Sequence, residues 1–243
     1  MKIDVLGIEF DNVTADEAVQ RGKRFISEHR CAYVVTPNPE IVMAAGKDAE
    51  LMEAVAGADM VLPDGIGVVY SAKIIGTPLK ERVPGIDFAS GLMAELAQTG
   101  GSVYLFGAKP GVAEKAAENI AAGFPGIVIA GTHDGYFDDD GDIIADINAK
   151  KPDFLMVCLG SPKQELWMRA NAGKLDVGVM TGLGGCLDVF AGNVDRAPES
   201  MQKAGLEWLY RLYKEPKRIG RMAKLPGILI KAAGQRNRGT GHE

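Results

Sequence analysis

The sequence predicts an α/β protein: a Rossmann-like, mostly parallel sheet flanked by helices, carrying a basic helical appendage toward its C-terminal end. Three observations point there. Six short apolar runs lack period-two alternation, as strands buried on both faces of a parallel sheet do. Helical stretches separate the runs, so strand and helix alternate. The charge then changes sign: residues 203–243 hold ten Lys and Arg against three Asp and Glu, a balance of +7, whereas residues 1–202 stand at −12, which together give the net −5.

Thr14-Ala15-Asp16-Glu17 has the capping-box pattern, so a helix opens there and runs to about His29. Residues 32–36 form the first major strand, and Pro39 begins the next helix. Residues 60–62 are the second strand; Pro84-Gly85 precede a helix over 86–98. The third strand is 103–106, with Pro110-Gly111 ahead of a helix over 112–122. The fourth is 127–131, and the acidic stretch 138–142 leads into a helix over 143–150. The fifth is 154–159; Ser161-Pro162 open a helix through Ala170, and 177–181 is the sixth strand. A break near Arg196-Ala197-Pro198 divides an α/β domain over 1–196 from an appendage over 197–243.

Composition bounds the function. A chain of 243 residues with 47% hydrophobic and 24% charged residues is an ordinary soluble globular protein able to bury a substantial core. No apolar run approaches the roughly 20 residues needed to cross a bilayer, and Met1-Lys2-Ile3-Asp4 lacks signal-peptide architecture. Cys31, Cys158 and Cys186 are widely spaced in apolar surroundings and read as buried thiols in a reducing cytoplasm. Three scattered histidines leave little for a His-based metal centre. The basic segment also holds Trp208, Leu209, Tyr210, Leu212, Tyr213, Leu225, Ile228, Leu229 and Ile230. That combination suits an anionic membrane surface or a polyphosphate ligand better than a folded core; a solvated terminal helix with snorkelling lysines is the plainer alternative.

Ligands of open α/β sheets bind beyond the carboxyl ends of the strands, and here six successive strand ends carry polar or glycine-rich clusters. They are Thr36-Pro37-Asn38-Pro39-Glu40, Pro63-Asp64-Gly65, Gly107-Ala108-Lys109-Pro110-Gly111, His133-Asp134-Gly135-Tyr136-Phe137, Gly160-Ser161-Pro162-Lys163-Gln164-Glu165 and Gly182-Leu183-Gly184-Gly185. Gly107 and Gly111 could bring backbone N–H groups to a diphosphate with Lys109 beside it, or form a plain β–α turn. The Asp138-Asp139-Asp140 run sits where a helix dipole favours acids, so it is assigned to capping and no metal is expected. Asp64, between a strand end and Gly65, is either a general base or an Asx-turn residue.

Taken as a set, these motifs resemble the WecG/TagA/CpsF family of bacterial glycosyltransferases. The resemblance runs through Asp11-Asn12-Val13-Thr14, the Thr36 and Asp64 clusters, Arg82-Val83-Pro84-Gly85, residues 107–114, Asp134-Gly135-Tyr136-Phe137 and Ser161-Pro162-Lys163-Gln164-Glu165-Leu166-Trp167. It continues through Asp188-Val189-Phe190-Ala191-Gly192, Arg196-Ala197-Pro198, Gly205-Leu206-Glu207-Trp208 and Glu215-Pro216-Lys217-Arg218. It implies transfer of a sugar from a UDP-sugar to N-acetylglucosamine on undecaprenyl diphosphate. In teichoic-acid-type members the sugar is N-acetylmannosamine; other members use N-acetylmannosaminuronic acid or glucose. It further implies a peripheral position on the inner face of the cytoplasmic membrane, no cofactor, no nucleic-acid partner and room for a homo-oligomer. By resemblance Asp64 is the catalytic base. Arg211, Arg218 and Arg221 are suited to supply cationic charge for the departing nucleotide, or else contact anionic lipid head groups. Arg82, counted with the catalytic residues, carries over to the pocket for acceptor, donor sugar or phosphate. Thr36, Asn38 and Gln164 line the pocket, Asp188 holds the nucleotide, and Trp167 is structural.

Two rivals come from other classes. A nicotinamide-dependent oxidoreductase would share the fold, but no GxGxxG follows the first strand. A non-enzymatic membrane adaptor would explain the basic segment and leave the strand-end clusters without purpose.

Overall fold

The structure, a computed structural model, describes residues 1–203, 205–214 and 225–239. An antiparallel hairpin comes first, β1 (Lys2–Val5) and β2 (Ile8–Asp11). Then follow α1 (Ala15–Ser27), β3 (Ala32–Val35), α2 (Pro39–Ala45), α3 (Ala49–Ala56), β4 (Met60–Val61), α4 (Ile66–Ile75) and α5 (Gly85–Thr99). The second half runs β5 (Ser102–Gly107), α6 (Val112–Gly123), β6 (Val128–His133), α7 (Gly141–Lys150), β7 (Phe154–Cys158), α8 (Lys163–Asn171) and β8 (Val179–Gly182). Four further helices close the described chain: α9 (Cys186–Phe190), α10 (Glu199–Lys203), α11 (Glu207–Lys214) and α12 (Leu225–Gly239).

All six expected strands join one parallel sheet in the order β4-β3-β8-β7-β5-β6. Its central strands are buried on both faces, which explains their unbroken apolar sequence. One face packs on α2, α3, α4, α7, α8, α12 and the hairpin through Phe10, Tyr33, Leu51, Val68, Phe106, Met168 and Ile228. The other packs on α1, α5, α6 and α9 through Phe25, Phe88, Leu92, Ile120 and Leu187.

The motif Asp11-Asn12-Val13-Thr14 proves architectural. Asp11 accepts from Val61 N at 2.9 Å and pairs with Arg21 at 2.6 Å, which fixes the hairpin to the end of β4. Asn12 accepts from Lys80 N at 2.8 Å. Thr14 and Glu17 form the expected reciprocal capping box on α1.

Three elements differ from the sequence expectation. The hairpin was not anticipated, because two four-residue strands are too short for a clear alternation signal. The helices α3 and α4 were not anticipated either: α3 follows α2 after a short turn and is capped by Asp48, and the Pro63-Asp64-Gly65 cluster ahead of α4 reads as a site motif and not as a helix start. The third difference concerns the basic segment, whose aliphatic side chains were expected to face a membrane. Ile228 and Ala232 are fully buried, and α12 packs on α4 and α2. Gln235 accepts from Leu6 N at 2.8 Å and donates to Asp4. Ile230, on the opposite side of α12, is 72% exposed. The helix is thus amphipathic toward the protein core, with part of its apolar content left outside.

Candidate active site

The carboxyl edge of the sheet gathers several of the expected residues because every strand in it is parallel. The second and third of its six strands, β3 and β8, are neighbours. The chain leaves β3 for α2 on one face and leaves β8 for α9 on the other, so a crevice opens between them.

Thr36 stands at that crevice, buried, with its hydroxyl donating to Gly182 O at 3.1 Å. Gly85, the first residue of α5, approaches so closely that a Cβ on it would lie 3.0 Å from both Thr36 Oγ1 and Leu183 Cδ2. Asn38 accepts from Glu40 N at 2.9 Å and Ile41 N at 3.1 Å and so caps α2. Its amide group is not used by that cap. Asp64 is half-buried at the end of β4, immediately before Gly65 (φ +87°). A Cβ on Gly65 would sit 3.0 Å from Pro39 Cδ, so the Asp64-Gly65 turn lies directly against the start of α2. Glycine is required there by both φ and space.

Gln164 is almost wholly buried. It accepts from Gly184 N at 2.8 Å and donates to Glu165 Oε1 at 2.8 Å, tying α8 to the loop after β8. Glu165 is only 1% exposed, its Oε2 has no hydrogen-bond partner among the described residues, and burial raises its pKa. Sequence reasoning quoted Glu165 inside a motif without giving it a task; burial of a glutamate beside a glutamine has no signature in one sequence.

Arg82 is largely buried and pairs with Glu207 of α11, Nη1 to Oε2 at 3.5 Å. Arg196 lies 4.0 Å from the other oxygen of Glu207 through Nε, and 2.6 Å from Asp87 Oδ1 through Nη1. These four side chains join the loop before α5 to the segment beyond α9. A cavity of about 790 Å³ opens beside them, bordered by Ile66, Tyr70, Arg82, Pro84 and Gly205. Gly205 lies on Ile66, two residues from Asp64. Asp64, Arg82 and the start of α11 therefore meet at one corner of the sheet edge.

The remaining expected residues are dispersed. Asp188 lies in the first turn of α9 with Asn193 Nδ2 at 3.5 Å. Gly107 has φ +127°, and a Cβ there would run into the backbone of Cys158, so its glycine is explained by strand packing. Lys109 is exposed. Arg218 and Arg221 lie outside the described residues, as does the side chain of Arg211. The acidic run stands at the start of α7 as expected: Asp139 accepts from Gly141 N at 2.9 Å. Asp140, at the N-cap position, makes no capping bond and instead accepts from Trp167 Nε1 at 2.7 Å and Asn171 Nδ2 at 3.2 Å. Trp167 is buried against Phe106, in keeping with a structural role. No group of three or more His, Cys, Asp or Glu with metal-holding geometry occurs among the described residues.

A doubly wound parallel sheet with an acid, arginines and buried amides along one carboxyl edge has the architecture of Rossmann-like α/β enzymes, a class whose ligands bind at that edge. The family follows from comparison with known proteins. The family model described as "Glycosyl transferase WecG/TagA/CpsF family" matches residues 3–241, and the chain belongs to that family of glycosyltransferases. It is 39% identical over 202 residues to the N-acetylglucosaminyldiphosphoundecaprenol N-acetyl-beta-D-mannosaminyltransferase of Bacillus spizizenii, covering 83% of this chain and 79% of that protein. It is 36% identical over 235 residues to the protein of the same name from Staphylococcus aureus, covering 96% and 92% of the two chains.

Proposed function

We propose that this protein transfers N-acetylmannosamine from UDP-N-acetylmannosamine to N-acetylglucosaminyl-diphosphoundecaprenol, giving a β-linked disaccharide lipid for a wall or surface polymer. The observation that carries the reading is the placement of the half-buried Asp64 beside the Asn38-Pro39 turn at the carboxyl edge of the sheet. It occurs in a chain similar along 96% of its length to a relative named for that activity.

In this reading the Asp64 carboxylate takes the proton from the acceptor hydroxyl as its oxygen attacks the anomeric carbon. The bond from that carbon to the UDP oxygen breaks on the opposite side, so the configuration inverts. UDP departs with the electron pair. Arg82, with Arg211, Arg218 and Arg221 from the C-terminal segment, stabilises the charge that develops on it. Thr36, Asn38 and Gln164 shape the pocket; Asp188 serves the nucleotide, and Gly107 and Lys109 border its diphosphate.

The segment 197–243 acts as an appendage that meets the membrane from the cytoplasmic side. Exposed Leu209, Tyr213 and Ile230, together with its basic residues, support that role. No helix among the described residues is long and apolar enough to cross a membrane.

The test is UDP release from a panel of UDP-sugars, using a short-chain lipid-diphosphate N-acetylglucosamine acceptor. UDP-N-acetylmannosamine is expected to be the preferred donor. Preference for UDP-glucose or UDP-N-acetylmannosaminuronic acid would reassign the sugar, and turnover with none would reject the reading.

A further inference from the structure

Glu207, the first residue of α11, is a nearly buried carboxylate set between two arginines that approach its opposite oxygens. Arg82 Nη1 is 3.5 Å from Oε2 and Arg196 Nε is 4.0 Å from Oε1. Charge-assisted N–H···O bonds close to about 2.7–2.9 Å, so this carboxylate does not span the gap between the two guanidinium groups. Arg196 makes its tight contact with Asp87 instead, at 2.6 Å. Its Nε and Nη2 are buried with no hydrogen-bond partner among the described residues. Buried donors left without an acceptor are disfavoured, and their presence points to an acceptor that arrives from outside.

The four charges of Arg82, Arg196, Asp87 and Glu207 cancel. With Glu207 turned away, the cluster carries one net positive charge beside the cavity that Arg82 and Asp87 border. Three acids stand on that wall: Glu81 is engaged with Ala15 N, Asp87 with Arg196, and Glu199 has an interaction of its own. Arginine forks match phosphate oxygens, and a diphosphate offers more charge, more acceptor oxygens and greater length than one carboxylate.

We propose that Arg82 and Arg196 form a diphosphate-binding pair and that Glu207 is its resident counter-anion, replaced when a nucleoside diphosphate binds. The inference rests on the UDP-sugar reading above and adds to it Arg196 as a binding residue and Glu207 as the group that yields. Because Glu207 belongs to α11, the exchange links occupation of the donor site to the seating of that helix.

The experiment is calorimetric titration of the full-length protein with UDP, using uridine as the phosphate-free control and ligand-free melts to monitor folding. Arg196→Gln is expected to weaken UDP binding about ten- to a hundredfold while leaving uridine binding unchanged. Arg196→Lys, which keeps the charge and loses the fork, should fall between. Glu207→Gln is expected to tighten UDP binding, since it removes a competing anion. Unchanged UDP affinity in Arg196→Gln, parallel loss of UDP and uridine binding, or weakened UDP binding in Glu207→Gln would overturn the pair. If Arg196→Gln does not fold, the Glu207→Gln result decides alone. Absence of UDP binding by the wild-type protein would instead reject the donor assignment on which the inference stands.

Discussion

The indole N–H of Trp167 donates to Asp140 Oδ2 at 2.7 Å, so one of three consecutive acids at the start of α7 is committed to holding α8. Asn171 shares the same oxygen, and Asp139 is taken by Gly141 N. Asp140→Ala is therefore expected to cost about 1–3 kcal/mol in denaturant unfolding, the penalty for two donors left unpaired. Treatment with EDTA should leave turnover unchanged. Loss of activity on chelation, restored by Mg²⁺ or Mn²⁺, would show that the acidic run serves a metal.

Asp64→Asn should lower turnover by about 10²–10⁴, the usual cost of losing a general base. UDP affinity and melting temperature should stay near wild type. Turnover close to wild type would remove Asp64 from the proton-transfer step.

Glu165 yields a pH dependence with a definite sign. Burial raises its folded-state pKa above the ordinary 4.5. A carboxyl raised in this way favours the folded state below its unfolded value, and that contribution is lost as pH rises through the folded value. Glu165→Gln, neutral at every pH, escapes the loss. The stability of the variant relative to wild type should grow as pH rises above the ordinary carboxyl value of 4.5 and level off once the folded-state value is passed. A difference that stays flat, or shrinks with rising pH, would place the ionised form of Glu165 in the folded protein.

Ile228→Ala is expected to destabilise the protein by about 2–5 kcal/mol, because a fully buried side chain is replaced by a cavity. Ile230→Ser, at an exposed position of the same helix, should change stability by no more than about 0.5 kcal/mol. Vesicle flotation separates the two further: Ile230→Ser should weaken binding to anionic vesicles. Equal stability effects at the two positions would contradict the packing of α12.

The sheet was legible because each of its strands is an apolar run cut off by a turn, and parallel strands need no finer pattern than that. Thr36 and Asp64 were legible because polar residues at strand ends stand out against apolar neighbours. Arg196 and Glu207 were quoted in motifs and left without roles. Their meaning lies in meeting Arg82 and Asp87, and contacts so distant along the chain leave no periodic trace in it. Ile228 was misjudged for a related reason. A helix that buries one side and exposes the other has the same composition whether its apolar stripe meets protein or lipid.

The hydrogen bonds that Gln235 accepts from Leu6 N and donates to Asp4 join residues 229 and 231 positions apart, made at widely separated moments of synthesis. The hairpin and α4 emerge early, while α12, which covers them, emerges last among these elements. Until then Val68 and Ala72 have one of their neighbours missing, and the hairpin lacks its clasp. The nascent protein thus carries an uncovered apolar surface until α12 is made. A chain that stops short of α12 is expected to leave that surface open to association with other chains, whereas synthesis of α12 covers it.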